Sequence, residues 1–181
     1  GIHNVRNSVA ATAVALTVGI SILNIKRGLL NFEGVQRRFN KIFTYNEIDF
    51  YDDYAHHPTE IKVVLDGVNK VYDGYDKVCI FQPHRISRLK DLRKEFSFAF
   101  KKADTVILCP VYTAGEKIQL GFNYLNFAKD IIKNSKVKLF IVNDNYQLAK
   151  FLKSNMYGNK IVIGMGAGTI SNWIRKLPNL M

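Results

Sequence analysis

From residue 42 to residue 177, short β-type runs alternate with amphipathic runs, and this alternation constrains the fold more than any other feature. The β-type runs cover residues 42–50, 77–82, 105–110, 138–142 and 160–165, and the helical runs cover residues 58–72, 87–100, 122–134, 145–154 and 169–177. Strands that are joined through helices run parallel, and their helices cover both faces of the sheet. The sequence therefore predicts an α/β domain with a mostly parallel sheet and helices on both faces.

The first 40 residues have a different pattern. Residues 4–27 contain the run AATAVALTVGISIL, lack proline and carry apolar residues on nearly every side. This pattern predicts a helix that is buried all round, in a piece of a larger domain. Residues 28–40 contain Gly34 and the pair Arg37-Arg38, and we expect a loop or a domain boundary there.

Charge and cysteine content narrow the class of protein. Lys and Arg total 26 and Asp and Glu total 15, which gives a formal net charge of +11. Such a charge suits a nucleic acid, a membrane surface, a phosphorylated ligand or simply a solvated basic surface. The lysines are scattered, and no apolar run is long enough to span a bilayer, so we expect neither a nucleic acid nor a membrane as partner. Cys79 and Cys109 lie in apolar runs and are predicted to be buried thiols of a reducing cytoplasm.

In a parallel sheet, ligands bind beyond the carboxyl ends of the strands. This rule selects the segments 52–59, 83–88, 111–116 and 164–171. In the first, DDYAHHPT, the acids and histidines could hold a metal ion, the acids could cap the following helix while the histidines line a cleft, or a carboxylate could bond a ribose. Two adjacent histidines cannot easily face one ion, so a metal is the least favoured of these.

The other segments are less specific. Arg85 and Arg88 stand three apart at a helix start, where they could grip a carboxylate or phosphate or simply be surface arginines. The run GMGAGTIS at residues 164–171 is either half of a dinucleotide fingerprint or a turn packed closely on the sheet. The loop 111–116 is assigned no role. At the chain start, His3 and Asn4 could bond a planar heterocycle, although simple helix capping by Asn4 is favoured.

The motifs GIHNVRNSVAATAVA, FEGVQRRF, DDYAHHPTEI, FQPHRISR, DLRKEF, VYTAGE and GAGTIS occur in this order along nearly the whole chain. Together they resemble the Mur ligase family, and most closely its L-alanine-adding branch. The resemblance implies bacterial, cytoplasmic peptidoglycan synthesis, with UDP-N-acetylmuramate, L-alanine and ATP as substrates. It also implies that residues 1–40 are the end of a central ATP-binding domain and residues 41–181 a complete, Rossmann-like C-terminal domain.

The same resemblance implies roles for individual residues. His3, Asn4 and Asn7 match the motif that borders the adenine, and Asp53 matches the acid that bonds the ribose. Tyr54 and His56 match residues near the incoming amino acid, and Arg85 and Arg88 match arginines that bind its carboxylate near the transferring phosphate. His56, Arg85 and Arg88 would serve catalysis by positioning and charge stabilisation.

The phosphate-binding half of the family pattern is missing from this sequence. It contains no GxxxxGK[ST] motif, so the ligands of Mg²⁺ are expected outside this chain, and the chain alone is expected to be inactive. Two alternatives stay open. One is another amino-acid ligase of the same family, and the other is a non-catalytic module that binds nucleotides or nucleic acid.

Overall fold

A computed structural model of the protein describes residues 2–32, 34–117 and 122–181, with only the backbone described for Ile2 and His3. The chain divides into two compact units, the first ending at Gln36 and the second beginning at Arg37. This division falls within residues 28–40, where the sequence predicted a loop or a domain boundary. Within the described ranges, every helix is too short or too polar to cross a membrane.

The first unit contains two helices, α1 (Ile2–Thr17) and α2 (Ile22–Leu30). The single helix predicted over residues 4–27 is therefore wrong. Gly19 adopts a φ of +83°, which ends α1, and the Ser21 hydroxyl caps α2 by accepting a hydrogen bond from the backbone of Asn24. The expectation of burial all round is also wrong, because no described side chain of this unit is buried. Two short helices offer too little surface to cover each other's apolar sides.

The second unit is built on a six-stranded sheet in the order β1-β2-β6-β3-β4-β5. Its strands are β1 (Asn40–Tyr45), β2 (Ile48–Asp53), β3 (Asp76–Phe81), β4 (Thr105–Leu108), β5 (Lys138–Ile141) and β6 (Lys160–Met165). Its helices are α3 (Pro58–Val71), α4 (Ile86–Asp91), α5 (Arg93–Ala99), α6 (Tyr124–Ser135), α7 (Asn145–Asn155) and α8 (Ile170–Lys176), followed by a 3-10 turn at Leu177–Asn179. All neighbouring strands are parallel except β1 and β2.

The strand predicted over residues 42–50 is a hairpin rather than one strand. Tyr45 pairs with Ile48 around the two-residue turn Asn46-Glu47, whose φ angles are +48° and +64°. Turns with two left-handed residues match the twist of paired strands, so β1 folds back antiparallel onto β2. The helix predicted over residues 87–100 is similarly split, because Leu92 leaves helical geometry between α4 and α5.

Apolar side chains cover the sheet on both faces. Along β3, Cys79 and Phe81 face a core that also contains side chains of α3, α5 and α6. Val78 and Ile80 face the opposite core, which contains side chains of α7 and α8. The predicted α/β class with helices on both faces is thus confirmed. Both cysteines are buried thiols, as predicted, and burial raises the pKa of Cys109 to about 12.

The hairpin turn offers a test of this local geometry. Glycine adopts a positive φ without the steric cost that a Cβ imposes. We expect Glu47→Gly to stabilise the protein by roughly 0.5–1 kcal/mol, since an Asn-Gly pair suits this turn. Urea denaturation checks the prediction, with Lys41→Gly in the adjoining strand as a control that should destabilise. A lower urea midpoint for Glu47→Gly than for the wild type would contradict the positive φ described for Glu47.

Candidate functional site

The carboxyl ends of β2, β6 and β3 lie side by side at one edge of the sheet. Asp53 is paired with Met165, and Met165 is paired with Phe81. The segments 52–59, 164–171 and 83–88 therefore meet there, as the strand-end rule predicts. Residues 111–116 join them, because His84 and Tyr112 form a parallel bridge.

Asp53 is buried at the end of β2, and backbone amides already bond its carboxylate. Oδ1 accepts from the backbone N–H of Ala55 at 2.7 Å, and Oδ2 accepts from the backbone N–H of Phe39 at 2.8 Å. Burial raises the pKa of Asp53, and these two hydrogen bonds oppose that effect. The carboxylate thereby ties the start of the second unit to β2. Its predicted contact with a ribose stays a prediction.

The neighbouring Asp52 is buried and lies in a charged cluster that the sequence did not single out. Its Oδ2 accepts a hydrogen bond from the Ser171 hydroxyl at 2.5 Å and lies 3.8 Å from both Arg37 Nε and Arg175 Nη2. Arg37 also donates to the carbonyl oxygen of Gly166. This cluster joins the ends of β2 and β6. The only sequence signals for it were the unusual pairs Asp52-Asp53 and Arg37-Arg38.

The DDYAHHPT segment starts α3 through helix capping. His57 is the N-cap residue, and its Nδ1 accepts from the backbone N–H of Thr59 at 3.3 Å. Glu60 accepts from the backbone N–H groups of His56 and His57 at 3.0 and 3.1 Å. The helix is thus capped as predicted, but by His57 and Glu60; the prediction that Asp52 and Asp53 cap it is wrong, because these carboxylates bond Ser171, Ala55 and Phe39 instead. In the described ranges, no three His, Cys, Asp or Glu side chains come together as a metal site would require.

Four rings form a continuous row across the site. Tyr54 and His56 lie edge to face at 5.3 Å, His56 and His84 at 5.7 Å, and His84 stacks on Tyr112 at 5.4 Å. Arg37 lies over the Tyr54 ring, 4.7 Å from its centroid. The structure thus brings the predicted residues Tyr54 and His56 together with two rings that were assigned no role.

The two predicted arginines occupy one turn at the start of α4. Arg88 is half-buried and donates to Nδ1 of His84 at 3.3 Å, which places the His84 proton on Nε2. Arg85 is exposed at the N-cap of α4 and has a left-handed backbone, with φ +68° and ψ +127°. Its backbone N–H donates to the Tyr112 carbonyl at 2.9 Å. Arg85 and Arg88 therefore present cationic groups beside the row of rings.

The GMGAGTIS segment is a closely packed turn. A Cβ on Gly166 would lie 2.8 Å from the Gln82 carbonyl oxygen, and a Cβ on Gly168 would lie 2.5 Å from Gln82 Oε1. The buried Gln82 side chain also accepts from the backbone N–H of Ile170 at 2.9 Å and donates to the Thr169 hydroxyl at 3.0 Å. The close-packing interpretation of this segment is therefore confirmed.

The remaining predicted residues lie in the first unit. Asn4 and Asn7 are exposed on α1. The favoured capping role of Asn4 is wrong, because α1 already begins at Ile2. The side chain of His3 lies outside the described residues. The predicted contacts of these three residues with adenine stay predictions.

The pKa of His84 tests whether Arg88 lies against its ring. Burial, helped by the adjacent Arg88 guanidinium, lowers the pKa of His84 from its ordinary value of 6.5. As the pH falls below about 6.5, His84 takes up a proton in the unfolded chain before it does so in the folded protein. Protonation of this histidine therefore lowers the free energy of unfolding. We expect an NMR titration midpoint below that value, and a higher midpoint in Arg88→Ala. A midpoint at or above 6.5 would contradict the described contacts.

Comparisons with known proteins agree with this geometry. The family model for the Mur ligase, glutamate ligase domain, matches residues 37–168. The chain is 71% identical over 181 residues to a UDP-N-acetylmuramate–L-alanine ligase of Pelagibacter ubique, which covers all of this chain and 39% of that protein. A protein of the same name from Brachyspira hyodysenteriae is 39% identical over 183 residues, which cover 99% of this chain and 39% of that protein. The chain thus spans about two fifths of the length of these relatives.

Solved structures show the same relationship. A UDP-N-acetylmuramate–alanine ligase of Thermotoga maritima superposes with a TM-score of 0.75 at 29% identity, covering 99% of this chain and 37% of that one. A murein peptide ligase of Psychrobacter arcticus gives a TM-score of 0.79 at 22% identity, which shows a shared fold. The family model matches the part of the chain that contains the six-stranded sheet, the glycines of the turn after β6 and the start of α4 with its two arginines. The chain therefore belongs to the Mur ligase family and carries its glutamate ligase domain.

Proposed function

We propose that this chain is the C-terminal part of a bacterial, cytoplasmic ligase that adds L-alanine to UDP-N-acetylmuramate in peptidoglycan precursor synthesis. The observation that carries the proposal is the convergence of Arg88, His84, His56 and Tyr54 at one sheet edge. The choice of L-alanine rests on the name of the relative that is 71% identical. In this reaction, ATP phosphorylates the sugar carboxylate, and the L-alanine amine attacks the acyl phosphate. The amine loses a proton, an amide forms and phosphate leaves.

The arginines would bind the carboxylate of L-alanine. A guanidinium offers paired donors that fit a carboxylate, and within the described ranges Arg88 donates with one nitrogen, to His84. Arg85 lies one helical turn away and is open to solvent. Tyr54 and His56 would form the wall against which the small side chain of L-alanine rests. These groups bind and orient the nucleophile, and the positive charges stabilise the developing oxyanion and the leaving phosphate.

Four residues would face the nucleotide. His3, Asn4 and Asn7 would border the adenine, and Asp53 would bond the ribose. Each oxygen of the Asp53 carboxylate accepts one backbone hydrogen bond and keeps further lone-pair capacity for a hydroxyl group. The backbone bonds would hold this acceptor in one orientation.

The residues present do not fit the phosphate and Mg²⁺ part of such a site. The sequence lacks a P-loop motif, and the described residues bring no three metal-ligating side chains together. We propose that the remainder of the full-length enzyme supplies the phosphate cradle and the Mg²⁺ ligands, and that residues 1–40 are the end of its ATP-binding domain. The 181-residue chain by itself would then have no ligase activity.

Phosphate release tests the proposal. The full-length protein that carries this chain would be assayed with ATP, Mg²⁺ and UDP-N-acetylmuramate, in the presence of L-alanine, glycine, L-serine or no amino acid. We expect release that depends on L-alanine, and none from residues 1–181 alone. Dependence on a different amino acid would assign the chain to a sister ligase. No release from the folded full-length protein would favour a non-catalytic binding module.

A further inference from the structure

The loop of residues 111–116 folds back onto the segment that carries both site arginines. The backbone N–H of Tyr112 donates to the Pro83 carbonyl at 2.8 Å, and the backbone N–H of Arg85 donates to the Tyr112 carbonyl at 2.9 Å. The Tyr112 ring stacks on His84. One side of the arginine-bearing segment is thereby fixed by strand-like pairing.

Glu116 fixes the other side. Its Oε1 accepts from the Ser87 hydroxyl at 2.5 Å, and its Oε2 accepts from the Ser87 backbone N–H at 3.1 Å. The turn that returns Glu116 to this position contains Ala114 and Gly115, with φ angles of +52° and +85°. Hydrogen bonds to a carboxylate are among the strong ones, because the acceptor is charged. Glu116 and Ser87 thus form a two-point clamp, which we call the Glu116–Ser87 clamp.

The clamp holds a backbone that needs a constraint. Arg85 lies between the Tyr112 pairing and the clamp, and its φ of +68° is costly for a residue with a Cβ. Such a conformation persists only where the surroundings enforce it. If either side were released, the backbone of Arg85 would relax and its guanidinium would point elsewhere, while Arg88 would keep its contact with His84.

We propose that Glu116 is a positioning residue, which through Ser87 holds the left-handed backbone of Arg85 and so directs the Arg85 guanidinium at the carboxylate of the incoming amino acid. This inference rests on the proposed function, because it names how the same site obtains its amino-acid affinity. Glu116 itself would touch no reacting atom. Its loss should affect the affinity for the amino acid rather than the affinities for the other two substrates.

Steady-state kinetics of the full-length ligase test the clamp. Glu116→Ala removes both hydrogen bonds, and Ser87→Ala removes only the hydroxyl bond. Glu116→Gln removes the negative charge, so its amide can keep these contacts only as weaker, neutral hydrogen bonds, with the oxygen accepting from the Ser87 backbone N–H and the NH₂ donating to the hydroxyl oxygen. We expect the KM for L-alanine to rise about tenfold in Glu116→Ala and less in the other two, as lost hydrogen bonds to a charged group predict. The KM values for ATP and UDP-N-acetylmuramate should stay within about twofold of wild type, and kcat should fall by a smaller factor than the KM for L-alanine rises, because Arg88 still stabilises the developing charge. Ser87→Thr keeps a hydroxyl group and should restore most of the affinity.

Asp144→Ala is the matched control. The Asp144 carboxylate also accepts a backbone N–H at a helix start, from Gln147 at 2.8 Å, but it precedes α7 at the end of β5, two strands along the sheet from β3. This variant should lower the melting temperature without changing the KM for L-alanine. An unchanged KM in Glu116→Ala or Ser87→Ala, with an active wild-type protein, would overturn the positioning role alone. An inactive wild-type protein would instead overturn the proposed function and the inference that rests on it. If Glu116→Ala does not fold, Ser87→Ala decides.

Discussion

In the full-length ligase, Arg88→Ala is expected to raise the KM for L-alanine about a hundredfold. The guanidinium of Arg88 is half-buried against His84, so the variant removes a preoriented cation and leaves the substrate carboxylate with Arg85 alone of its two proposed partners. Truncating one partner of such a charge pair costs about 2–5 kcal/mol, and about 2.7 kcal/mol corresponds to a hundredfold change. Titration of L-alanine in the phosphate-release assay measures this effect.

Arg93→Ala is the control for Arg88→Ala. Arg93 begins the next helix and bonds Asp130 at 2.6 Å on the exposed surface. Exposed ion pairs contribute about 0–1 kcal/mol to stability, so this variant should keep its KM for L-alanine. Arg88→Lys keeps the charge but loses the paired donors, and we expect an intermediate KM. A KM for L-alanine that is the same in Arg88→Ala and wild type would remove Arg88 from the amino-acid site.

Gly166→Ala is expected to destabilise the domain by about 3 kcal/mol, within the range for overpacking combined with backbone strain. Gly166 has a φ of +151°, and an added Cβ would lie 2.8 Å from the Gln82 carbonyl oxygen and 3.1 Å from the Ile170 side chain. The backbone oxygen cannot yield, because it belongs to the segment that follows β3. For a domain of this size, we expect the melting temperature to fall by roughly 6–12 °C.

Two other glycines separate the contributions of close packing and strain. Gly158 also has a positive φ, +76°, but an added Cβ would meet nothing within 4 Å, so Gly158→Ala tests strain without overlap. Gly67 lies within α3 with open space around it, and Gly67→Ala should stabilise the protein by about 0.5–1 kcal/mol. The melting temperature should therefore be higher than wild type in Gly67→Ala, lower in Gly158→Ala and lowest in Gly166→Ala. If Gly166→Ala has a melting temperature no lower than that of Gly158→Ala, an added Cβ at Gly166 does not overlap the Gln82 carbonyl oxygen, and the described packing is wrong.

Much of the fold could be predicted because its signals are local. The sequence predicted that α3 begins with a proline in its first turn and with Glu60 near the positive end of the helix dipole. Both features are present in the structure. The strand predicted over residues 160–165 has those bounds in the structure. The errors arose where a single residue's backbone angle decided the outcome. The apolar pattern over residues 4–27 and 42–50 did not reveal that Gly19, Asn46 and Glu47 adopt positive φ angles.

The residues of the candidate site also fall into those that the sequence could predict and those that it could not. Tyr54, His56, Arg85 and Arg88 could be singled out because each follows a strand and stands in a motif that resembles one family. Residues that act through others carried no such signal. Asp52, Gln82 and Glu116 find their partners 119, 88 and 29 residues away in the chain, at Ser171, Ile170 and Ser87.

The sequence by itself determined the α/β class, the two-faced core, the family resemblance and the strand ends at which chemistry was expected. Periodicity and turn chemistry suffice for these, because they depend on neighbours within a few residues. Only the tertiary structure decided the hairpin, the packed glycine turn, the row of rings from Tyr54 to Tyr112 and the clamp on Ser87. These features depend on strand order and on which distant side chains the sheet brings within hydrogen-bonding distance. A linear pattern does not encode that adjacency, because the order β2-β6-β3 joins segments that are far apart along the chain.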